Sequence, residues 1–296
     1  MSAALTDRLG TVLPSEESRV GYLLWLSRPR FWLYLAGPVI IGVTYAADGP
    51  AELFAPVAIA LFAYFLVPAN VFLYGVNDAF DADVDEYNPK KDEEVGKEVR
   101  FQRDPVVLAV IALSGLLALS FVPFLPASAL VVFGAWVLLS VEYSAPPARF
   151  KTTPLLDSLS NGLYILPAVV AYATIEGTLP PALAVAGAWL WTMGMHTFSA
   201  IPDIEPDREA GIRTTATWLG ERRTYYYCAA CWLAAAVTFG LVHWVFGLLL
   251  GLYPVLVFGI MLAGVDVHEA YWWYPAINTL VGMSLTLVGL WVMLYG

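Results

Sequence analysis

The stretch from Asn77 to Asp85, Asn-Asp-Ala-Phe-Asp-Ala-Asp-Val-Asp, places four carboxylates within eight residues, directly after a strongly apolar run. On a helix Asn77, Asp81 and Asp85 stand at i, i+4 and i+8 and line one face about 6 Å apart per step, with Asp78 beside them. A second acidic stretch, Asp203, Glu205, Asp207 and Glu209, follows another apolar run of helix length, and Asp203 and Asp207 repeat the four-residue spacing. Hard divalent cations take oxygen ligands of this kind. Mg2+ prefers one or two carboxylates plus substrate phosphate oxygens to a closed protein cage, so two acidic helix ends facing each other predict a Mg2+ site that holds a diphosphate substrate.

Further polar residues surround these stretches. The loop Tyr143-Ser-Ala-Pro-Pro-Ala-Arg149-Phe-Lys151 is stiffened by two prolines and brings a phenol and two cations together. It reads as a positive anchor at a membrane face and equally as a stabiliser of departing diphosphate, for which Arg offers bidentate contacts and Lys a point charge. Asp157 and Asn161, again four apart, stand where they could orient those cations. Asn70 reads as lining a substrate site or as a hydrogen bond between helices, since a polar amide in an apolar helix turns to the protein interior. Tyr74, one turn before Asp78, reads as a phosphate contact or as packing. In the charged loop 86–104, Lys91, Lys97 and Arg100 are candidates for touching diphosphate, long loops beside active sites being frequent lids. Arg213 completes the substrate-binding candidates. His196, two turns before Asp203, reads as a hydrogen-bonded structural histidine rather than a base. Arg28 and Arg30, among aromatics, read as headgroup anchors, with a contact to an anionic head group as the sharper alternative.

Elements long enough to cross a bilayer must position these residues. The chain has 296 residues, is 59% hydrophobic and 14% charged, and carries 11 Trp, 16 Tyr and 15 Phe, a membrane composition. A crossing helix needs about 20 residues, or about 17 at the short end. Nine runs qualify: 29–47, 53–77, 105–123, 126–143, 155–175, 181–201, 224–242, 245–264 and 274–295. Pro105, Pro126, Pro154 and Pro181 stand at or near the starts of four of them, where a missing N–H costs a helix little. The pair 224–264 is marked only by a break near His243 and reads alternatively as one long helix plus a fragment.

The positive charges orient this arrangement. With the N-terminus inside, the inside segments are 1–28, 78–104, 144–154, 202–223 and 265–273, and all 15 Lys and Arg fall on or beside them. The outside turns carry Asp48, Glu52 and Glu176. The positive-inside rule then puts both acidic stretches on the cytoplasmic face of the cell membrane. Residues 1–28 read as a cytoplasmic tail and interfacial segment without a cleavable signal, and 29–296 as one transmembrane domain of nine helices around a central active-site chamber.

Net charge is −10, and Arg outnumbers Lys eleven to four. An acidic, Lys-poor surface fits a high-salt cytoplasm, and the absence of a basic stripe argues against a nucleic-acid partner. Cys228 and Cys231 form a lone C-x2-C inside an apolar run, which reads as two buried thiols rather than a zinc site.

Together these residues resemble the UbiA superfamily of intramembrane prenyltransferases over nearly the whole chain. Asn77-Asp78-x-x-Asp81-x-x-x-Asp85 is similar to its first motif, Asp203-x-x-x-Asp207-x-x-x-Gly211-x-x-Thr214 to its second, and Tyr143 with Arg149 and Lys151 to the basic motif between them. The resemblance implies that the aspartates bind Mg2+ and the diphosphate of an allylic donor, while Tyr143, Arg149 and Lys151 attend the leaving group. An allylic cation then forms in a dry, aromatic-lined chamber and an acceptor attacks it.

Quinone-type members of the superfamily commonly follow the first motif with a short Asn-Arg-Pro-like turn, whereas here Asn88-Pro89-Lys90-Lys91 opens a longer stretch to Arg100. That form, the Pro-Pro-x-Arg-Phe-Lys loop and the charge balance look similar to the haloarchaeal lycopene elongase branch, which adds five-carbon units from dimethylallyl diphosphate to lycopene with hydration. The resemblance thus implies a lipophilic polyene acceptor. Geranylgeranylglyceryl phosphate or a quinone precursor remains the alternative acceptor, and a cation transporter the alternative class. Transport would place carboxylates near the bilayer midplane rather than at helix ends.

Overall fold

The computed structural model describes residues 14, 18–81, 101 and 103–295. Among these every regular element is a helix. That is what an apolar chain requires when water is unavailable, because a helix satisfies its own backbone groups.

Each apolar run is helical over most of its length. Five helical stretches are long and apolar enough to cross a membrane: Pro50–Phe80, Leu156–Glu176, Glu221–Val242, Trp244–Ala263 and Glu269–Tyr295. Pro105–Phe121 and Ala127–Glu142 are shorter apolar helices. The His243 break is real. His243 adopts an extended backbone (φ −158°, ψ 130°) that ends Glu221–Val242, and its Nδ1 accepts the Val245 amide at 3.3 Å to cap the helix that follows. One long helix over 224–264 is therefore excluded.

Seven elements matter for the site. Helix α1 (Arg19–Leu26) is capped by Ser18, whose hydroxyl accepts the Gly21 amide at 3.0 Å. Its Tyr22 and Leu26 are buried, so this part of the N-terminal segment belongs to the core rather than to a free tail. Helix α2 (Trp32–Ala46) follows after a short turn. Helix α3 (Pro56–Leu66) runs almost directly into α4 (Pro68–Asp81), and the junction is a break because Pro68 has no N–H to continue the ladder. The others are α5 (Ala127–Glu142), α6 (Ala182–Ser199) and α7 (Tyr274–Tyr295).

Two apolar cores hold these helices. The first, from Tyr22 to Ala173 in sequence, centres on Tyr64, Phe65, Phe133 and Trp136, whose rings meet at 5.1 to 6.1 Å, mostly edge to face. The second, from Phe198 to Val281, centres on Phe198, Trp232, Tyr253 and Tyr274, with Trp232 stacked on Tyr274 at 5.8 Å. Close approach between helices is made by glycine. A Cβ at Gly42 of α2 would lie 2.2 Å from the Ala168 carbonyl oxygen, and one at Gly162 would enter the Trp189 ring. Between the two cores lies a cavity.

Candidate active site

The cavity holds about 890 Å³ and draws its walls from both cores, including Leu73, Leu163 and Val169 of the first and Leu250 and Val281 of the second. At one end its polar residues include Arg28, Tyr74, Asn77, Asp78, Tyr143, Asn161, His196, Ser199 and Asp203, and Asn278 and several further Thr and Tyr also line it. The rest of its wall is largely apolar and aromatic and reaches Tyr45, Pro180, Pro181 and Phe246.

Helix α4 delivers Tyr74, Asn77 and Asp78 in its last two turns. Asp78 is only 2% exposed, and a carboxylate so buried requires a partner. Arg28 supplies it, with Nη2 at 3.1 Å from Oδ1. The guanidinium also lies 4.6 Å from the centre of the Tyr74 ring. To reach this position the backbone of Arg28 turns left-handed (φ 52°), a region that non-glycine residues rarely occupy and that structures retain where the surroundings dictate it. Tyr74 in turn touches Tyr164, hydroxyl to hydroxyl at 3.4 Å.

The second acidic stretch enters from the end of α6. Asp203 precedes the short helix Ile204–Glu209 and accepts the Asp207 amide at 2.8 Å, so the predicted one-turn spacing is present. Asp203 lines the cavity with Asn77 and Asp78. Two acidic helix ends thus converge on one chamber. Among the described residues no three His, Cys, Asp or Glu side chains cluster closely enough to hold a metal alone. An all-oxygen set of Asn77, Asp78 and Asp203 on a shared wall fits a cation that takes its remaining ligands from a diphosphate.

The remaining candidates separate into several environments. Tyr143 and Asn161 line the cavity, and Asn161 Nδ2 donates to the Asp157 carbonyl at 2.7 Å. Arg149 and Lys151 belong to the neighbouring loop, outside the cavity wall. Arg149, also left-handed (φ 40°), donates from Nη2 to the Phe80 carbonyl at 3.3 Å and so ties that loop to the end of α4. Asp157, read as a residue that could orient these cations, is held by other partners. It is fully buried, accepts the Thr215 amide at 2.9 Å and the Thr215 hydroxyl, and lies 3.9 Å from His196 Nε2.

Asn70 does not line the cavity; of its two sequence readings, the hydrogen bond between helices is the one present, from α4 to α3. Its Nδ2 donates to the Phe65 and Leu66 carbonyls, at 2.9 and 3.0 Å, and so mends the break before Pro68. Arg213 lies beside a separate surface pocket of about 210 Å³ with Arg208 and Trp218. Asp85, Lys91 and Arg100 lie outside the described residues, as does the side chain of Asp81, the last residue of α4.

Sequence reasoning left Arg28 open and set His196 aside; both line the cavity. It missed Asn278 on α7, which donates to the Tyr34 hydroxyl at 3.2 Å and accepts from Tyr253 at 2.8 Å. The signal was a polar amide in an apolar helix, the same signal that drew attention to Asn70.

Residues 35–294 match the model of the UbiA prenyltransferase family. The chain is 70% identical over 291 residues to a lycopene elongase/hydratase of Haloarcula japonica, covering 98% of each, and 66% identical over 278 residues to one of Haloferax volcanii, covering 94% of this chain and 91% of that one. Its fold is similar to that of a UbiA homolog from Archaeoglobus fulgidus bound to DMAPP and Mg2+, with a TM-score of 0.69 at 19% identity, covering 90% of this chain and 98% of that one. The converging acidic helix ends, the chamber behind them and these matches have one conclusion: the chain belongs to the UbiA prenyltransferase family, a membrane-embedded family.

Proposed function

We propose that this prenyltransferase moves a five-carbon group from dimethylallyl diphosphate to lycopene, with addition of water, on the route to bacterioruberin-type carotenoids, and that it depends on Mg2+. The cavity carries the reading. One chamber offers acid and Arg28 to a diphosphate and an apolar, aromatic wall to a long hydrocarbon. The choice of lycopene rests on the relatives that bear that activity in their names.

In this reading Asn77, Asp78, Asp81, Asp85, Asp203 and Asp207 hold Mg2+ and the donor's diphosphate. Mg2+ held there would supply positive charge against the departing diphosphate. Arg28, paired with Asp78, meets the same group, and Tyr143, Arg149 and Lys151 attend it from their loop, with Lys91 and Arg100 as further contacts. Tyr34, Tyr74 and Tyr164 offer ring faces to the allylic cation. The cation adds to a terminal double bond of the polyene, and water captures the tertiary cation that results. No base is needed to ionise the acceptor. The acidic ends face the cytoplasm and the nine helical runs cross the membrane.

A phosphate-bearing acceptor would call for further cations along the chamber. Arg28 is the only Lys or Arg among the described residues that line it. The deciding experiment is expression in a lycopene-producing host with pigment analysis by chromatography and mass. Products enlarged by five or ten carbons and hydrated are expected. Untouched lycopene, with the protein in the membrane and dimethylallyl diphosphate present, would turn the assignment to lipid or quinone acceptors.

A further inference from the structure

Hydration creates a chemical demand that diphosphate release does not meet. When the inner carbon of the terminal double bond joins C1 of the allylic group, its π electrons form the new C–C bond and leave a tertiary cation on the outer carbon. A water lone pair then forms the C–O bond. The protonated alcohol is neutralised only when a base takes one O–H proton. If no base is aimed at the water, the same cation instead gives up a neighbouring C–H proton to another acceptor, such as the released diphosphate, and becomes an alkene. The ratio of alcohol to alkene therefore reports where the base stands.

Among the described residues lining the cavity, the Asp, Glu and His side chains are Asp78, Asp203 and His196. Asp78 is paired with Arg28, and Asp203 belongs to the acidic end that faces the diphosphate. His196 stands deeper, one turn inside the end of α6, where Asp203 lies just beyond that end. Its ring meets Tyr143 edge-on at 6.0 Å between centres. Behind it, Asp157 approaches Nε2 to 3.9 Å.

Asp157 is built in rather than incidental. It is fully buried, and its two oxygens accept the Thr215 amide and hydroxyl, while Thr215 Oγ1 also accepts the Leu155 amide at 2.7 Å. A carboxylate held in this way places a fixed negative group on the Nε2 side of the ring. With Nε2 turned to the carboxylate, Nδ1 is the nitrogen that takes the proton.

Resting on the reading of this enzyme as a hydrating elongase, we propose that His196 is the general base that accepts a proton from the water captured by the polyene cation, with Asp157 as its positioning residue. The step converts water and the tertiary cation into a tertiary alcohol and an imidazolium. That proton later leaves to solvent through the polar end of the chamber.

The test is product partition in the full-length enzyme, expressed in lycopene-containing membranes supplied with dimethylallyl diphosphate. For His196→Gln the ratio of hydrated to non-hydrated elongated carotenoid, which differ by one water, is expected to fall at least tenfold. For Asp157→Asn it is expected to fall severalfold in the same direction, with Asp157→Glu returning part of it. A structural role alone would lower total product without moving the ratio. An unchanged ratio in His196→Gln overturns the proposal while leaving prenyl transfer intact. Should His196→Gln yield no product, Asp157→Asn decides, an unchanged ratio overturning the proposal and a fall supporting it. Absence of elongated product from the unaltered enzyme overturns the parent reading instead.

Discussion

The Arg28–Asp78 pair joins binding and stability in one contact. Removing the guanidinium takes the Arg28 counter-charge from a buried carboxylate, which is expected to cost about 3 kcal/mol or more. Arg28→Leu is therefore expected to lower thermal stability in detergent and also to raise the KM for the allylic diphosphate. A shift in stability with no change in KM would separate Arg28 from the donor. Asp203→Asn adds no buried unpaired charge and is expected to cut turnover at least a hundredfold with little loss of stability, read by diphosphate release across a Mg2+ titration. Asn70→Leu should do the reverse. It removes two hydrogen bonds to the carbonyls of Phe65 and Leu66 and is expected to destabilise by ~1–3 kcal/mol with donor KM unchanged. That Asp78 and Asp203 reach one chamber was legible in the sequence, because carboxylates at one-turn spacing close two separate apolar runs. Asn70 and Asn278 were not separable, because a polar amide in an apolar helix looks the same whether it mends a break or lines a chamber.

Helices in this molecule are fixed by caps, breaks and close approaches. At Gly42 of α2 a methyl group would meet backbone, the Ala168 carbonyl at 2.2 Å, and backbone has no rotamer with which to yield. Gly42→Ala is expected to cost ~1–3 kcal/mol. Gly134→Ala on α5, with nothing within 4 Å of the new Cβ, is expected to gain ~0.5–1 kcal/mol from the stiffer unfolded chain. Paired melting curves in one detergent test both. Asp104 caps the helix Pro105–Leu116. The Val106 amide and then Arg19 hold its carboxyl below its ordinary value of 3.8, so the cap is complete above that pH and is lost as pH falls through the lowered value. Asp104→Asn should abolish that part of the acid sensitivity. Most of the apolar runs were legible from composition and length, and Pro105, Pro126 and Pro181 marked three helix starts as expected. The junction at Pro68 was not: 53–77 reads as one uninterrupted apolar run although Pro68 lies within it, and the structure shows the break as the end of α3 at Leu66 and the start of α4 at Pro68, with Asn70 serving the freed carbonyls.

At the scale of the whole molecule the chamber lies along the line where two cores meet, one built from residues up to Ala173 and the other from Phe198 onward. Gly282 of α7 lies on its wall with nothing within 4 Å of an added Cβ. Gly282→Trp is expected to depress conversion of a long polyene at least tenfold while leaving donor binding in place, read by pigment analysis beside diphosphate binding. The chamber's existence was legible in the sequence, since polar residues on separate apolar helices must meet somewhere dry. Its position was not, because which helices share a core depends on pairings such as Gly42 with Ala168 that no periodicity records.

That placement has a mechanical meaning. A pocket carved inside a single core can swell only by pulling apart contacts that hold the core together. A pocket at a seam widens when two intact blocks shift against each other, and each block keeps its own packing throughout. For the proposed polyene acceptor, a stiff hydrocarbon rod, shape change and structural integrity would thereby be assigned to different interfaces.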